Sequence, residues 1–189
     1  AVNNSYPPGS VFKLVVLLAA LENGIGPDFK VDCSGHMIIG NRKFRCSSRF
    51  GHGKVDILTA IQRSCNSYLY TVSQIIGIDK IHSMAQRLGF GQVTGIDLPD
   101  EAKGFVPNKE WKKRHLNKDW LWGDTVNASV GQGYMLATPI QLSSMVSIIA
   151  NGGKLFRPSL LQNSYIEYKD TQIAKENIAL IQEGMRRAV

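Results

Sequence analysis

No apolar stretch in this chain of 189 residues is long enough to cross a bilayer: the longest, Leu14 to Leu21, runs eight residues, against about 20 for a spanning helix. Internal repeats are missing too, so a single domain is the economical reading. Cysteine is scarce, with Cys33, Cys46 and Cys65 as the three present. No two of them form the close pair usual in a zinc site, so spacing alone gives little support for one. Acidic residues are short, 15 against 22 basic ones, and the formal net charge of +7 favours acidic partners or a membrane surface. Nucleic acid is not among the expected partners, because no motif for it is present. The densest basic stretch, Lys112-Lys113-Arg114-His115 with Lys109 and Lys118 nearby, reads as a solvated loop. With 43% hydrophobic and 20% charged residues, the composition is that of an ordinary globular protein able to build a substantial core. No signal peptide is visible, and the chain opens only a few residues before its candidate nucleophile. The expectation is an excised piece of a longer protein, in which a missing anchor carries no weight.

Periodicity and punctuation predict mainly helices. The first runs from about Ser10 to Asn23 and stops at Gly24. Gly26 to Gly53 is Gly-rich and polar, with strand-like pieces at Met37–Ile39 and Arg42–Phe44. Asp56 caps a helix from Ile57 to about Arg63, and a second follows from Ser67 to Ile76. Asp79 is read as the cap of another helix, with Ile81, Met84, Ala85 and Leu88 on one face. Phe90 to Gly133 reads as long and irregular, the kind of loop that is usually functional. Pro139 opens an amphipathic helix to Ala150. Strand-like segments at Lys154–Arg157 and Tyr165–Tyr168 follow, and a last helix spans Ile173–Val189.

Ser10-Val11-Phe12-Lys13 sits behind Tyr6-Pro7-Pro8-Gly9 and ahead of the apolar run. On a helix start, residues three apart are neighbours, so hydroxyl and amine share a face. A buried lysine that loses its proton can take the serine's and make it an acylating nucleophile. The bland alternative is a helix cap plus a solvated lysine. Against it, Leu14–Leu21 is apolar on every side and reads as a helix buried all round. Ser64-Cys65-Asn66, at a break between helices, puts two polar side chains on one side of the chain. Simple capping by Ser64 or Asn66 explains it equally well. Gly131-Gln132-Gly133-Tyr134, ahead of Ala137-Thr138-Pro139-Ile140-Gln141, allows a tight backbone beside a site, or merely a turn.

Taken together, Tyr-Pro-Pro-Gly-Ser-x-x-Lys, Ser-Cys-Asn and Gly-Gln-Gly-Tyr before Ala-Thr-Pro-Ile-Gln resemble the transpeptidase domain of the class B penicillin-binding proteins. Thr94-Gly95-Ile96-Asp97-Leu98 and Trp122-Gly123-Asp124-Thr125 extend the resemblance over the whole chain, which is most similar to the cell-elongation branch, the penicillin-binding protein 2 type. The resemblance implies an α/β (α+β) fold of the serine β-lactamase type, an antiparallel sheet flanked by helices. It implies Ser10 as the acylated nucleophile and Lys13 as its base. Ser64 would help protonate the leaving amine, and Asn66 would bind the substrate peptide amide. The oxyanion hole would include the Ser10 backbone N–H. The expected activity is D,D-transpeptidation of peptidoglycan stem peptides, with water as the carboxypeptidase alternative and β-lactams as inhibitors. A serine β-lactamase and a non-hydrolytic β-lactam sensor are the rivals. The implied location is the periplasmic face of the bacterial inner membrane, beside a membrane glycosyltransferase.

One departure stands out: the family's Lys-Thr/Ser-Gly motif is nowhere in the chain. The expectation is a domain, residues 1–189, truncated before that strand and slow or inactive as it stands. The cysteine spacing alone, Cys33-x12-Cys46-x5-His52-x12-Cys65, leaves open a disulfide with a spare thiol, or three buried small hydrophobes. The resemblance implies more, because relatives of the cell-elongation type carry a structural zinc near the Ser-x-Asn loop. Its ligands would fall on Cys33, Cys46, His52 and Cys65, a closed set with no open position. His36 is the runner-up ligand, and His82 and His115 are ordinary surface or capping residues.

Overall fold

A 3₁₀ turn at Gly9–Phe12 feeds helix α1 (Lys13–Glu22), whose residues Lys13 through Ala20 are all buried. That is the fate expected of a helix with no polar face. The computed structural model describes residues 1–161 and 167–189. After α1 come four short strands, β1 (Val31–Cys33), β2 (His36–Ile39), β3 (Arg42–Arg45) and β4 (Gly53–Val55). β2 and β3 form an antiparallel hairpin with His36 opposite Arg45 and Ile39 opposite Arg42, matching the two strand-like pieces expected. β1 and β4, three residues each, pair Cys33 with Gly53 and close the base of this excursion. Neither was expected, since three residues carry too little alternation to read.

Helix α2 (Ile57–Gln62) starts at Asp56, whose side chain accepts a 2.8 Å hydrogen bond from the Thr59 N–H. Helix α3 (Asn66–Ile76) and helix α4 (Ile78–Arg87) are separated by Gly77 alone, at φ 77°. Asp79 is therefore not the cap expected of it. It lies in the first turn of α4, where a carboxylate still complements the helix dipole. Ile81, Met84, Ala85 and Leu88 are buried as the periodicity requires.

The supposed long loop contains two helices, α5 (Lys109–Leu116) and α6 (Trp122–Ser129). α5 was illegible because Lys112 is its only buried residue, and it buries by charge pairing rather than by apolar contact. Lys112 Nζ reaches Asp124 Oδ2 at 2.5 Å, with the two side chains 5% and 17% exposed. The basic stretch is thus a capped helix anchored by a buried ion pair, not a solvated loop. Helix α7 (Pro139–Ala150) has the reciprocal Thr138–Gln141 capping box. Strands β5 (Lys154–Phe156) and β6 (Tyr168–Asp170) pair antiparallel; the predicted segment Tyr165–Tyr168 lies partly outside the described residues. Helix α8 (Lys175–Arg186) begins two residues after Ile173 and ends before Val189.

α1 runs through the middle of the core, in contact with α2, α3, α4 and α8. Antiparallel pairing flanked by helices is the expected arrangement, here as three separate two-stranded ribbons among the described residues. No helix among the described residues is long and apolar enough to cross a membrane.

Breaking the buried pair should be costly, because it strands a charge away from water. Asp124→Leu should lower the unfolding free energy by about 3–5 kcal/mol, and Lys112→Met/Asp124→Leu should recover most of that loss. Urea unfolding of both variants checks it; a double variant as unstable as the single one would show that the pair does not govern this packing.

Candidate active site

Ser10 lies exposed on the 3₁₀ turn, and Lys13, three residues on, opens α1 with only 4% of its surface accessible. The chain reverses sharply in front of them. Ser64 N–H bonds to the Ile61 carbonyl and Cys65 N–H to the Ala60 carbonyl, closing α2 in a Schellman motif. The left-handed residue of that motif is usually glycine; here it is Ser64, at φ 50°. A serine held there costs about 1–2 kcal/mol, and its hydroxyl faces Lys13.

Lys13 Nζ donates to Ser64 Oγ at 2.8 Å, to the Ser64 carbonyl at 2.9 Å and to Asn66 Oδ1 at 2.5 Å. Ser64 Oγ in turn donates to Ser10 Oγ at 3.2 Å. Among the described residues, Lys13 therefore reaches Ser10 through Ser64 rather than by a direct hydrogen bond. Burial pushes the Lys13 amine down from 10.5 to about 8, with Cys46 and Cys65 opposing the shift.

The supports behind this loop left no sign in the sequence. Asn66 Nδ2 and the Tyr70 hydroxyl both donate to the Arg45 carbonyl, at 3.2 and 3.0 Å, tying α3 to the end of β3. The Ser47 hydroxyl holds the Ser64 carbonyl at 3.1 Å. A backbone acceptor leaves no trace in residue identity, although Tyr70, one turn after Asn66, was visible as a position.

Behind the loop, Cys33, Cys46, His52 and Cys65 bring one sulfur or nitrogen each to within 4.8 Å of one another. β1 supplies Cys33; Cys46 follows β3, His52 precedes β4, and Cys65 precedes α3. His52 Nδ1 is 3.6 Å from Cys33 Sγ and 3.5 Å from Cys46 Sγ; Cys46 and Cys65 sulfurs are 3.8 Å apart. All three cysteines are free thiols. Burial opposes ionisation of Cys46, yet N–H donors from Ser67 and Ser48 outweigh it and hold that thiol at about 5. Burial drives Cys65 up to about 12. Such a set of donors could hold a metal ion. His36, on β2, is outside the cluster. His115 stacks on Trp111, and His82 meets Asn108 at 3.4 Å while its buried Nδ1 has no partner.

Gly131-Gln132-Gly133-Tyr134 does approach the nucleophile closely. Gly9 N–H bonds to the Gly131 carbonyl at 3.0 Å, and a Cβ on Gly131 would lie 2.3 Å from the Gly9 oxygen. Tyr6 and Ala137 exchange both backbone hydrogen bonds at 2.9 Å, so the segments before Ser10 and before α7 are laced together. A cavity of about 610 Å³ between Gly89–Thr94 and β5–β6 contains none of these groups. The candidate groups lie instead where α1, the Ser64 turn and the Gly131 turn meet.

The penicillin binding protein transpeptidase domain model matches residues 1–189. A relative from Acinetobacter baumannii named peptidoglycan D,D-transpeptidase MrdA is 38% identical over 169 residues, 87% of this chain and 25% of its own. The solved penicillin-binding protein 2 of Helicobacter pylori superposes with a TM-score of 0.94 at 36% identity, over 98% of this chain and 36% of that one. A third, described as "Structural coordination of polymerization and crosslinking by a peptidoglycan synthase complex", has a TM-score of 0.90 at 29% identity, covering 98% and 33%. The chain spans about a quarter of the length of the curated relatives it matches.

Gly131→Ala should strain a left-handed position and push Gly9 away at once. We expect a loss of at least about 2 kcal/mol, read as a fall of about 5 °C or more in the thermal midpoint. An unchanged midpoint would show that this contact relaxes freely.

Proposed function

The chain belongs to the penicillin-binding protein transpeptidase family, and from that premise we propose that residues 1–189 form one domain of a peptidoglycan D,D-transpeptidase of the cell-elongation type. The observation that carries the reading is the hydrogen-bonded series Lys13–Ser64–Ser10 at the head of a buried helix. In it, Ser10 Oγ attacks the penultimate D-Ala carbonyl of a stem peptide. Its proton moves to Ser64 Oγ as the Ser64 proton moves to neutral Lys13 Nζ. The Ser10 backbone N–H, at the helix start, faces the developing oxyanion. Reversing the relay delivers the proton to the departing D-Ala amine through Ser64, which unites its role with that of Lys13. Asn66 Oδ1 steadies the lysine, and since the Arg45 carbonyl already takes one hydrogen of its Nδ2, the second hydrogen of that amide would be the one to meet the substrate backbone. The amine of a second stem then attacks the ester, forming the cross-link and freeing Ser10. A β-lactam presents a similar acyl group and leaves Ser10 esterified.

The similarity to a peptidoglycan synthase complex described as coordinating polymerization and crosslinking supports a glycosyltransferase as partner, and the peptidoglycan D,D-transpeptidase relatives support the periplasmic face of the inner membrane as location. Lys-Thr-Gly and Lys-Ser-Gly are absent from residues 1–189, so the group that receives the substrate carboxylate in the family is not among them. Loss of one donor at such a site slows acyl transfer about 10²–10³-fold.

Prolonged incubation with a penicillin, followed by digestion and mass spectrometry, should place one adduct on Ser10, and Ser10→Ala should abolish it. Since Lys13 works unprotonated, the rate should climb about tenfold per pH unit below 8 and level off above it. Lys13→Arg, which cannot become neutral, should lose several orders of magnitude. An adduct elsewhere, or an arginine variant that acylates normally, contradicts the assignment.

We further propose that Cys33, Cys46, His52 and Cys65 hold one structural zinc. A tetrahedron with zinc–sulfur bonds of ~2.3 Å and zinc–nitrogen bonds of ~2.0–2.1 Å has edges of about 3.8 Å between sulfurs and about 3.5 Å from sulfur to nitrogen. The 3.8, 3.5 and 3.6 Å separations fit that figure. Three neighbouring thiols cannot all ionise without a cation among them, and zinc supplies that charge and a rigid tie. Cys65 links the site to Ser64 and Asn66 on either side. Metal analysis of protein purified without added zinc should find one ion per chain, and a chelator should lower the thermal midpoint. Cys65→Ser should impair both metal content and acylation, while Cys33→Ser should affect acylation only through stability. Metal-free protein with a Cys–Cys disulfide would refute this.

A further inference from the structure

The positive charge of this protein is concentrated beside its catalytic loop. Between His36 and Arg63 there are six basic residues, Arg42, Lys43, Arg45, Arg49, Lys54 and Arg63, against the single acid Asp56. With Asp32 on β1 included, the excursion and the helix it leads into carry a net charge of +4 out of the +7 of the chain. All six basic residues are exposed. None of them makes an ion pair among the described residues, whereas Arg87, Lys109, Lys112, Lys113, Arg114, Arg157, Arg186 and Arg187 all do. Lys54 stands opposite Asp32 across the β1–β4 pair; for Arg42, Lys43, Arg45, Arg49 and Arg63, a purely solubilising role does not require the lack of ion pairs seen among the described residues.

Their backbone places the segment against the reacting groups. The Arg45 carbonyl accepts from Asn66, Arg63 immediately precedes Ser64, and Ser47 between Arg45 and Arg49 holds the Ser64 carbonyl. Apart from Lys13, Arg45 and Arg63 are the basic residues that the hydrogen bonds and the chain tie most directly to the Ser64–Asn66 loop. The reaction needs two peptides. The donor occupies Ser10, and the acceptor must bring its amine to the ester from beside it. An uncleaved acceptor stem still carries its own terminal carboxylate, so it arrives as an anion.

We propose that the exposed basic rim formed by Arg45, Arg49 and Arg63, with Arg42 and Lys43 behind it, binds the carboxylates of the amine-donating stem peptide and guides it to the acyl-enzyme. This rests on the transpeptidase reading above and adds the acceptor's binding surface to it. Guanidinium groups suit the task because their planar fork engages carboxylates two bonds at a time. An unpaired positive rim also raises the local concentration of an anionic reactant. A membrane surface is the competing occupant of a basic face. It is disfavoured because the rim is tied to the Ser64 turn through the Arg45 carbonyl and the Ser47 hydroxyl.

The test uses a fluorescent peptide amine with two free carboxylates and no D-Ala-D-Ala terminus, titrated into the intact protein. Arg49→Glu/Arg63→Glu should weaken binding about tenfold or more, and amidating both carboxylates should do the same to wild-type binding. Lys80→Glu/Lys175→Glu, which removes as much charge from elsewhere on the surface, should leave it unchanged. Thermal midpoints confirm that both variants are folded. Equal affinity in wild type and Arg49→Glu/Arg63→Glu, or equal weakening in both double variants, overturns the proposal. So does rim-dependent binding to phosphatidylglycerol vesicles with no binding of the peptide. Penicillin labelling separates the two levels. An adduct at Ser10 with charge-blind peptide binding refutes only the acceptor rim; no adduct at Ser10 in a form of the protein that includes a Lys-Thr/Ser-Gly strand refutes the transfer chemistry, and the acceptor role with it.

Discussion

A lysine amine is held at the dry end of a buried helix, and most of the site exists to keep it there. Lys13 spends all three donors on the Ser64–Asn66 loop. That loop therefore cannot move without stranding a buried polar group, whose desolvation is costly when unpaired. The same burial brings the amine to about 8, close enough to neutrality to exchange protons near physiological pH. Position and reactivity thus have one cause.

The loop is in turn held from behind. The left-handed Ser64 is an expensive residue to place, and it stays because the Schellman closure of α2, the Arg45 carbonyl and the Ser47 hydroxyl over-determine its neighbourhood. The Cys33, Cys46, His52 and Cys65 cluster lies beneath the same three residues. Small ribbons do the gathering: without the β1–β4 pairing, Cys33 and His52 would have no reason to meet. On the opposite wall, the Gly9–Gly131 contact fixes the nucleophile's turn against the segment that leads into α7.

Much of this was legible in the sequence, for reasons that differ by element. α1 was readable because eight consecutive apolar residues admit only a buried helix, and α7 because Thr-Pro and Gln141 mark its start. Ser10, Lys13, Ser64 and Asn66 were found through spacing and resemblance, and the structure gathers all four. α5 and α6 were missed because a helix that buries a lysine against an aspartate shows no apolar period. β1 and β4 were missed because three residues are too few to alternate. A proton-handling role for Ser64 was legible in the letters, but its position between Lys13 and Ser10 was not, since that depends on a backbone angle rather than on residue type. The charged rim was present in the letters from the start. Its meaning appears only when the fold sets Arg45 and Arg63 beside Asn66 and Ser64, and shows which cations have partners.

Everything turns on the protonation of one amine, and that can be observed directly. Selective ¹⁵N labelling of lysine, with Lys13→Arg to assign its resonance, allows the Lys13 Nζ signal to be followed across a pH titration. A midpoint near 8 is the result this account predicts. A midpoint at the ordinary lysine value of about 10.4 or higher would contradict it, because Lys13 would then be a fixed cation and the proton of Ser10 would need another destination.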